Sequence, residues 1–402
     1  MAVEAGASKA VRRTSSDARS RLPHGLSMEE SNVVAVGMKA LPPEPTPLFR
    51  EIAVEIRENG PIGLDRYMGL CLGHPVHGYY RTRDPLGHRG DFVTAPEISQ
   101  MFGELVGVWI AATRAAMGAP ATLNLVELGP GRGTLMEDAL RALRSAAPGA
   151  GFHVHLVETS PVLRALQSER LSAAAPRWHD TVETLPDGPA IVVANEFFDA
   201  LPVRQFERRE AGWCERLVGL SPDGTRLVCG LSPDPDRTIT GDAPPGVVLT
   251  LPSAALATMR ALAARLVRQG GALLAIDYGH VRPGFGDTLQ ALARHRFVDP
   301  FEAPGEADLT THVDFSALAA AASADGGHVH GPVDQRDFLD GLGLRMRADR
   351  LKLRATPAQA EAIEAAYGRL TAPARRGMGS LFKVLGISHP SLGALPAFPA
   401  TA

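Results

Sequence analysis

The stretch 123-LNLVELGPGRGTL-135 decides how this chain is read. An apolar run reaches an acid, Glu127, and then three glycines at alternate positions, Gly129, Gly131 and Gly133, before helix-forming sequence begins. A strand that gives way to a helix must bend tightly, and glycines permit both the bend and the close approach of a ligand to the backbone. In an open α/β sheet such a turn lies outside the carboxyl ends of the strands, where ligands bind. The spacing is G-x-G-x-G, unlike the G-x-G-x-x-G of dinucleotide sites, and no G-x-x-x-x-G-K-[ST] is present to form a P-loop. Glu127 would oppose a pyrophosphate but suits a cationic ligand with an ammonium group. S-adenosylmethionine carries both an ammonium and a sulfonium. A glycine-rich turn with no ligand is the plain alternative.

Outward from the turn, further apolar runs occur at 152-FHVHLVE-158, 190-AIVVAN-195 and 272-ALLAIDYG-279, with helix-like sequence at 134–146 and 254–270. Strands alternating with helices predict a mostly parallel sheet covered by helices on both faces, an α/β class. The second strand ends in Glu158, where a carboxylate can accept hydrogen bonds from both ribose hydroxyls. A helix cap before Ser160-Pro161 is the competing role. Asp180, in 178-WHDTVETL-185, is placed to reach an adenine amino group, although a solvated turn aspartate accounts for it nearly as well. Acid, glycine turn and second acid together favour S-adenosylmethionine over NAD.

The 190–195 strand leads into 194-ANEFFDALPVRQF-206 at the same edge of the sheet. Asn195, Glu196 and Asp199 offer an amide and two carboxylates there, and Phe197 and Phe198 are suited to wall a pocket. Methyl transfer is an in-line displacement that depends on holding a nucleophile at the right distance and angle. A guanidinium suits this pair of acids, because two carboxylates can clamp it through bidentate hydrogen bonds. The competing reading has Asn195 or Asp199 capping a helix and the phenylalanines in the core; it fits one phenylalanine better than it fits both acids. Glu97, in 94-TAPEIS-99, is a further acid facing substrate, or a first-turn carboxylate of the helix that follows. His312, in 308-DLTTHVDF-315, either orients substrate or is a satisfied buried histidine. His74 and His77 resemble half of a metal site, but with no nearby cysteine or third ligand no metal is expected.

The 402 residues, 45% hydrophobic and 21% charged with a formal net charge of −3, describe a soluble globular protein with no broad electrostatic footprint for nucleic acid. No run approaches the roughly 20 apolar residues of a membrane-spanning helix. Cys71, Cys214 and Cys229 are odd in number and widely spaced, so a reducing, cytoplasmic compartment is expected. Residues 1–46 mix arginines with Ser, Ala and Thr and end in 42-PPEPTP-47; they read as a disordered tail, or as sequence upstream of a start at Met28 or Met38. Residues 47–120 form an N-terminal helical and loop region, opened by Thr46 as an N-cap with Pro47 at the first helical position. It holds a long Gly-, His- and Arg-rich loop at 73–99, and long loops in compact domains tend to be functional. The core spans 121–345, with a β-hairpin or meander inserted at about 203–231 around Asp223-Gly224, and 346–402 form a C-terminal helical region.

Six segments carry a family resemblance: GDFVTAPEISQMFGE (90–104), VELGPGRGTL (126–135), VANEFFDALPVRQF (193–206), LLAIDYGH (273–280), ADLTTHVDF (307–315) and LFKVLGISHP (381–390). Together they resemble the MidA family, over roughly residues 47 to 400. The resemblance implies a class I, Rossmann-like methyltransferase fold with an added helical region, and S-adenosylmethionine as cofactor. It also implies a protein substrate, because the mitochondrial member assists assembly of respiratory complex I and symmetrically dimethylates an arginine of a core subunit. Carried over by position, the glycine loop falls on Gly129, Gly131 and Gly133, the ribose acid on Glu158, and the substrate block on Asn195 to Pro202.

Three classes remain open at this point. The chain is an active methyltransferase acting on protein arginine or, less directly, on a small molecule; or a cofactor-binding assembly scaffold without chemistry; or a nucleotide-linked enzyme such as a dehydrogenase. The intact acids weigh against the second, and the glycine spacing against the third. Oligomeric state is also open, with a homodimer among the options.

Overall fold

The computed structural model describes residues 44–84, 87 and 93–399. Nearly all of the expected tail, and residues 85–86 and 88–92 of the long loop, lie outside them. From Pro45 onward the chain forms one contact unit.

Seven strands build the main sheet. Taken across it they are Arg177–His179, Gly151–Val157, Thr122–Leu128, Ala190–Asn195, Gly271–His280, Phe382–Ser388 and His328–Asp334. The first five run parallel, and Phe382–Ser388 is antiparallel to both of its neighbours. Ranked by position in the chain, the order is 3-2-1-4-5-7-6, and the short strand Val313–Asp314 adds in parallel to the end of Gly271–His280. The order reverses between Thr122–Leu128 and Ala190–Asn195. That is the switch point at which a crevice opens in such sheets.

Period-two alternation assigns each strand residue to one of two cores. Leu123, Leu125, Ile191, Val193, Leu274 and Ile276 face the helices Gln100–Ala116 and Thr134–Ala146. Val126, Leu128, Val192, Ala194, Leu273 and Ala275 face Ser253–Gln269 and Phe315–Ala324. Burying each Leu, Ile or Phe fully contributes about 1.5–3 kcal/mol, so both cores must be covered for the parallel strands to persist. The first helix pair approaches closely because a Cβ at Gly103 would stand 2.6 Å from Asp138 Cβ, and one at Gly107 2.6 Å from the Ala139 carbonyl oxygen.

A third core lies under the helices Pro47–Asn59 and Leu64–Gly73, joining Ile52, Tyr67 and Met68 to Val218, Ala291 and Leu309. The first of these helices begins as expected: the Thr46 hydroxyl accepts the Phe49 N–H at 3.1 Å, with Pro47 at the first helical position. The β insertion is larger than a hairpin. Gly212–Leu220 pairs with Arg204–Arg209, Leu227–Leu231 and Ile62–Gly63, and Val248–Leu251 closes the far side, giving five antiparallel strands. A second antiparallel unit joins Leu289–Ala293 to Arg296–Phe297 and Asp308–Thr311. The short, half-polar strands of this second unit alternate too weakly to be told from loop, because long-range pairing decides them. The same reason hid His328–Asp334, whereas Phe382–Ser388 is almost wholly buried, an apolar run whose pattern does not tell strand from helix, and the expectation of a wholly helical 346–402 fails there. The C-terminal helices stand at Gln335–Gly341, Leu344–Lys352 and Pro357–Thr371, as their sequence suggests.

Candidate active site

At the carboxyl edge of the parallel strands lies a cleft of about 880 Å³, within the range of cofactor and substrate sites. Every residue singled out for the cofactor except Gly133 lines it, as do Asn195, Glu196, Phe197, Asp199, Glu97 and His312.

One end is the glycine turn. Gly129, Gly131 and Gly133 adopt φ of +58°, +53° and +79°, a left-handed backbone that any larger residue resists. A Cβ at Gly129 would stand 3.1 Å from the Phe197 ring. Glu127 sits beneath the turn, only 3% exposed, and its Oε2 has no hydrogen-bond partner among the described residues. Burial pushes its carboxyl up to about 8. A buried acceptor with nothing to accept fits a ligand that brings its own cation.

Glu158 follows the next strand. Its Oε1 accepts the Ser160 N–H at 2.7 Å and its Oε2 the Gln167 amide at 3.2 Å. Burial raises this carboxyl, opposed by those two donors. Each carboxylate oxygen has a second lone pair, so both can still accept a ribose hydroxyl. The helix cap is Ser160 itself, whose Oγ accepts the Leu163 N–H at 3.2 Å. Asp180 is 75% exposed and pairs with Arg164 at 2.6 Å, while Arg164 also donates to the Glu158 carbonyl oxygen. Glu97 is bound to the glycine turn from the opposite side, accepting the Thr134 hydroxyl at 2.5 Å and standing 3.5 Å from Arg132, which grips Asp84 at 2.8 Å. It lies in the first turn of the short helix Ala95–Ile98.

At the other end stand the acids that follow Ala190–Asn195. Glu196 holds a left-handed φ of +51°, uncommon for a residue with a side chain and typical of strained functional positions. Its N–H donates to the Ile276 carbonyl oxygen at 2.8 Å, and its Oε1 accepts from Ala95 N–H at 3.1 Å and the Asn195 amide at 3.2 Å. Enclosure by protein raises its carboxyl to about 7, with the Ala95 N–H opposing and the Asp199 charge adding. Asp199 is also raised by burial, while the Tyr278 hydroxyl nearby favours its ionised form. Asn195 Oδ1 and Asp199 Oδ1 are buried with no hydrogen-bond partner among the described residues. Phe197 borders the cleft, whereas Phe198 is 2% exposed in the core, its ring edge-on to Phe197 at 5.4 Å between centroids.

Four residues missing from the sequence reading complete this end. Asp277 is fully buried in the neighbouring strand Gly271–His280, one residue past its pairing with Ala190–Asn195; its Oδ2 accepts the N–H groups of Phe198 and Asp199 at 3.0 and 3.2 Å, which fixes the NEFFDALP turn. Its own carboxyl is driven far up by burial and by the charges of Asp199 and Glu196. Tyr278, Tyr80 and Asp308 also face the cleft. The acid within 272-ALLAIDYG-279, one residue past the stretch paired with Ala190–Asn195, was the available signal. His312 lies 3.3 Å from the Gln290 amide and edge-on to Tyr278 at 5.5 Å, with burial lowering its imidazole. His74 and His77 lie elsewhere, stacked on each other and paired with Glu51 at 3.0 and 3.2 Å. The Nδ1 of His74 accepts two backbone N–H groups, which places its proton on the nitrogen facing Glu51.

Residues 105–333 match the model of a family described as putative S-adenosyl-L-methionine-dependent methyltransferases. The mitochondrial protein arginine methyltransferase NDUFAF7 homolog of Drosophila melanogaster is 37% identical over 372 residues, 84% of this chain and 84% of that one. The Homo sapiens protein arginine methyltransferase NDUFAF7 is 36% identical over 331 residues, 75% of this chain and 74% of that one. A solved superfamily member from Burkholderia thailandensis, bound to S-adenosyl-homocysteine, is 32% identical with a TM-score of 0.76, covering 89% of this chain and 97% of that one.

Proposed function

The chain belongs to the MidA-type family of S-adenosyl-L-methionine-dependent methyltransferases, and from that premise we propose that it methylates an arginine side chain of a protein. The observation that carries this reading is the set of acceptors at the substrate end. Asp199 Oδ1 and Asn195 Oδ1 are buried and partnerless among the described residues, beside a second acid, Glu196. Such a set calls for a ligand with several donors and a positive charge. Guanidinium presents five N–H donors in a planar fork and accepts none.

When bound, S-adenosylmethionine supplies a methyl group on a sulfonium, open to in-line attack. The chain's residues hold and orient the partners. Glu127 receives the ammonium, Glu158 the ribose hydroxyls and Asp180 the adenine amino group, with Gly129, Gly131 and Gly133 admitting the ligand to the backbone. Asp199 and Asn195 hold the guanidinium. Each methyl gained by a nitrogen displaces one proton from it, and Glu196, whose carboxyl lies near 7, is matched to take that proton at neutral pH. Phe197 excludes water from the path. Glu97 steadies the glycine turn through Thr134, and His312 borders the substrate.

A core subunit of respiratory complex I, the target implied by the MidA resemblance, is the first substrate to test. The free cysteines fit a reducing compartment, and we assign the protein to the cytoplasm, although the curated relatives are named as mitochondrial. Calorimetric titration with S-adenosylhomocysteine, with NADH as control, tests the cofactor end. Labelled S-adenosylmethionine with the complex I subunit, followed by mass spectrometry for dimethylarginine, tests the substrate end. Cofactor binding with methyl on a lysine or on no side chain would overturn the arginine reading.

A further inference from the structure

The antiparallel unit of Leu289–Ala293, Arg296–Phe297 and Asp308–Thr311 turns one face to the cleft, and its register says which residues lie there. Leu292 pairs with Phe297 on one side and with Asp308 on the other, and Gln290 pairs with Thr310. Residues two apart along a strand share a face, and so do residues directly opposite on the neighbouring strand. Each residue of these two rows borders the cleft. The wall they form is anchored at its inner end: the Thr311 N–H donates to the Asp199 carbonyl oxygen at 2.9 Å, and Asp308, 4% exposed, accepts the Tyr80 hydroxyl at 2.7 Å. Its outer end is Phe297, which is 75% exposed.

A lone apolar side chain at the surface is ordinary, but Phe297 does not stand alone. The Val298 N–H donates to the Ala291 carbonyl oxygen at 3.0 Å. Hydrogen-bonded and non-hydrogen-bonded pairs alternate along an antiparallel ladder, so Leu292 and Phe297 form a non-hydrogen-bonded pair, the kind whose side chains lie closer together. They make an apolar ledge that begins inside the cleft and continues to its mouth. Its exposed part gains free energy when apolar surface covers it. In an extended segment whose arginine enters the cleft, the side chains two residues to either side point the same way as the arginine and come to rest at the rim. We propose that Phe297 is a specificity-determining residue, which with Leu292 packs an apolar side chain two positions from the target arginine. This rests on the arginine reading above and extends it from the side chain to the sequence around it.

The test compares three capped heptapeptides on the full-length protein saturated with S-adenosylhomocysteine, with binding followed by NMR. The first is Gly-Leu-Gly-Arg-Gly-Leu-Gly, the second has glycine in place of both leucines, and the third has citrulline in place of arginine. The wild type is expected to bind the first at least about fivefold more tightly than the second, a part of what full burial of a leucine contributes. Phe297→Ala, at an exposed position where no core cavity results, is expected to cut that preference to less than about twofold, and Phe297→Leu to keep most of it. S-adenosylhomocysteine affinity and the preference for arginine over citrulline should be unchanged in both variants. A wild type that does not distinguish arginine from citrulline overturns the arginine reading itself. An arginine preference with equal affinity for the leucine and glycine peptides, or a leucine preference that survives intact in Phe297→Ala, leaves that reading standing and overturns the role of Phe297.

Discussion

The two ends of the cleft are built in opposite ways. At the cofactor end, Glu127, the three glycines and Glu158 fall within one span of strand, turn, helix and strand, Asp180 follows the next helix and strand, and adjacent parallel strands bring their ends together by register. At the substrate end, Asn195, Glu196 and Asp199 meet Asp277, Tyr278, Tyr80 and Asp308, and the Tyr80–Asp308 bond alone bridges 228 residues of chain. Repeated local geometry suffices for the first. The second exists only after the antiparallel units and the N-terminal helices have docked. The cofactor end should therefore tolerate damage to the substrate end, and each variant below measures how separate they are.

The largest effect is expected from Asp199→Asn. Methyl transfer should fall at least about 10³-fold, close to 4 kcal/mol of transition-state stabilisation, while calorimetry finds S-adenosylhomocysteine affinity within about twofold of wild type. A collapse of both would merge the two ends into one unit. Next comes Glu127→Gln, which replaces a charge-assisted contact to the ligand ammonium by a neutral one. About 1.5–3 kcal/mol is at stake, so S-adenosylhomocysteine should bind roughly 10- to 100-fold more weakly.

Gly129→Ala probes the seam between the ends. The left-handed φ of +58° costs a non-glycine residue about 1–2 kcal/mol, and the new Cβ meets Phe197 at 3.1 Å. Cofactor affinity and turnover should drop together, by about tenfold each; an effect on affinity alone would show that Phe197 yields freely. The pH dependence of stability separates Glu127 from its surroundings. Its carboxyl ionises near 4.5 in the unfolded chain and near 8 in the folded protein without ligand. The folded state therefore holds the extra proton across that window, and stability declines as pH rises from about 4.5 to 8. Calorimetric melting across this range should show a shallower decline in Glu127→Gln than in wild type, the remainder belonging to other raised carboxyls such as Glu196, Asp199 and Asp277. The smallest effect belongs to Asp180→Asn, whose side chain is 75% exposed. An exposed pair contributes about 1 kcal/mol or less, so cofactor affinity should change by less than about fivefold.

Some of this was legible in the residues and some was not. Glu127, Gly129 and Glu158 were readable because a parallel strand ending in an acid or a glycine turn uses contiguous positions, and apolar runs of six or seven residues mark such strands plainly. Asp277 lies inside its strand, which runs on to His280, so neither a strand end nor a glycine turn marks it, and the two N–H groups it holds belong to a different segment. Tyr80 stands in the loop read as functional and Asp308 in one of the resemblance segments, but nothing local joined either residue to the cleft. Nor did anything local mark the strands Leu289–Ala293 and Asp308–Thr311, whose mixed polarity is settled by long-range pairing, whereas Arg204–Arg209 falls within the β insertion expected at about 203–231.

By itself, then, the sequence determined the parallel core, the place of the glycine turn and the cationic character of the ligand beneath it, because strand period, turn chemistry and a buried acid act over a few residues. Tertiary structure alone decided which carboxylates face one another across the substrate space. It also decided that Glu97 is bound to the glycine turn and that Phe197 packs over Gly129 while Phe198 fills the core. Those outcomes depend on how separate layers dock, and the free energy of docking resides in long-range burial that no single segment contains.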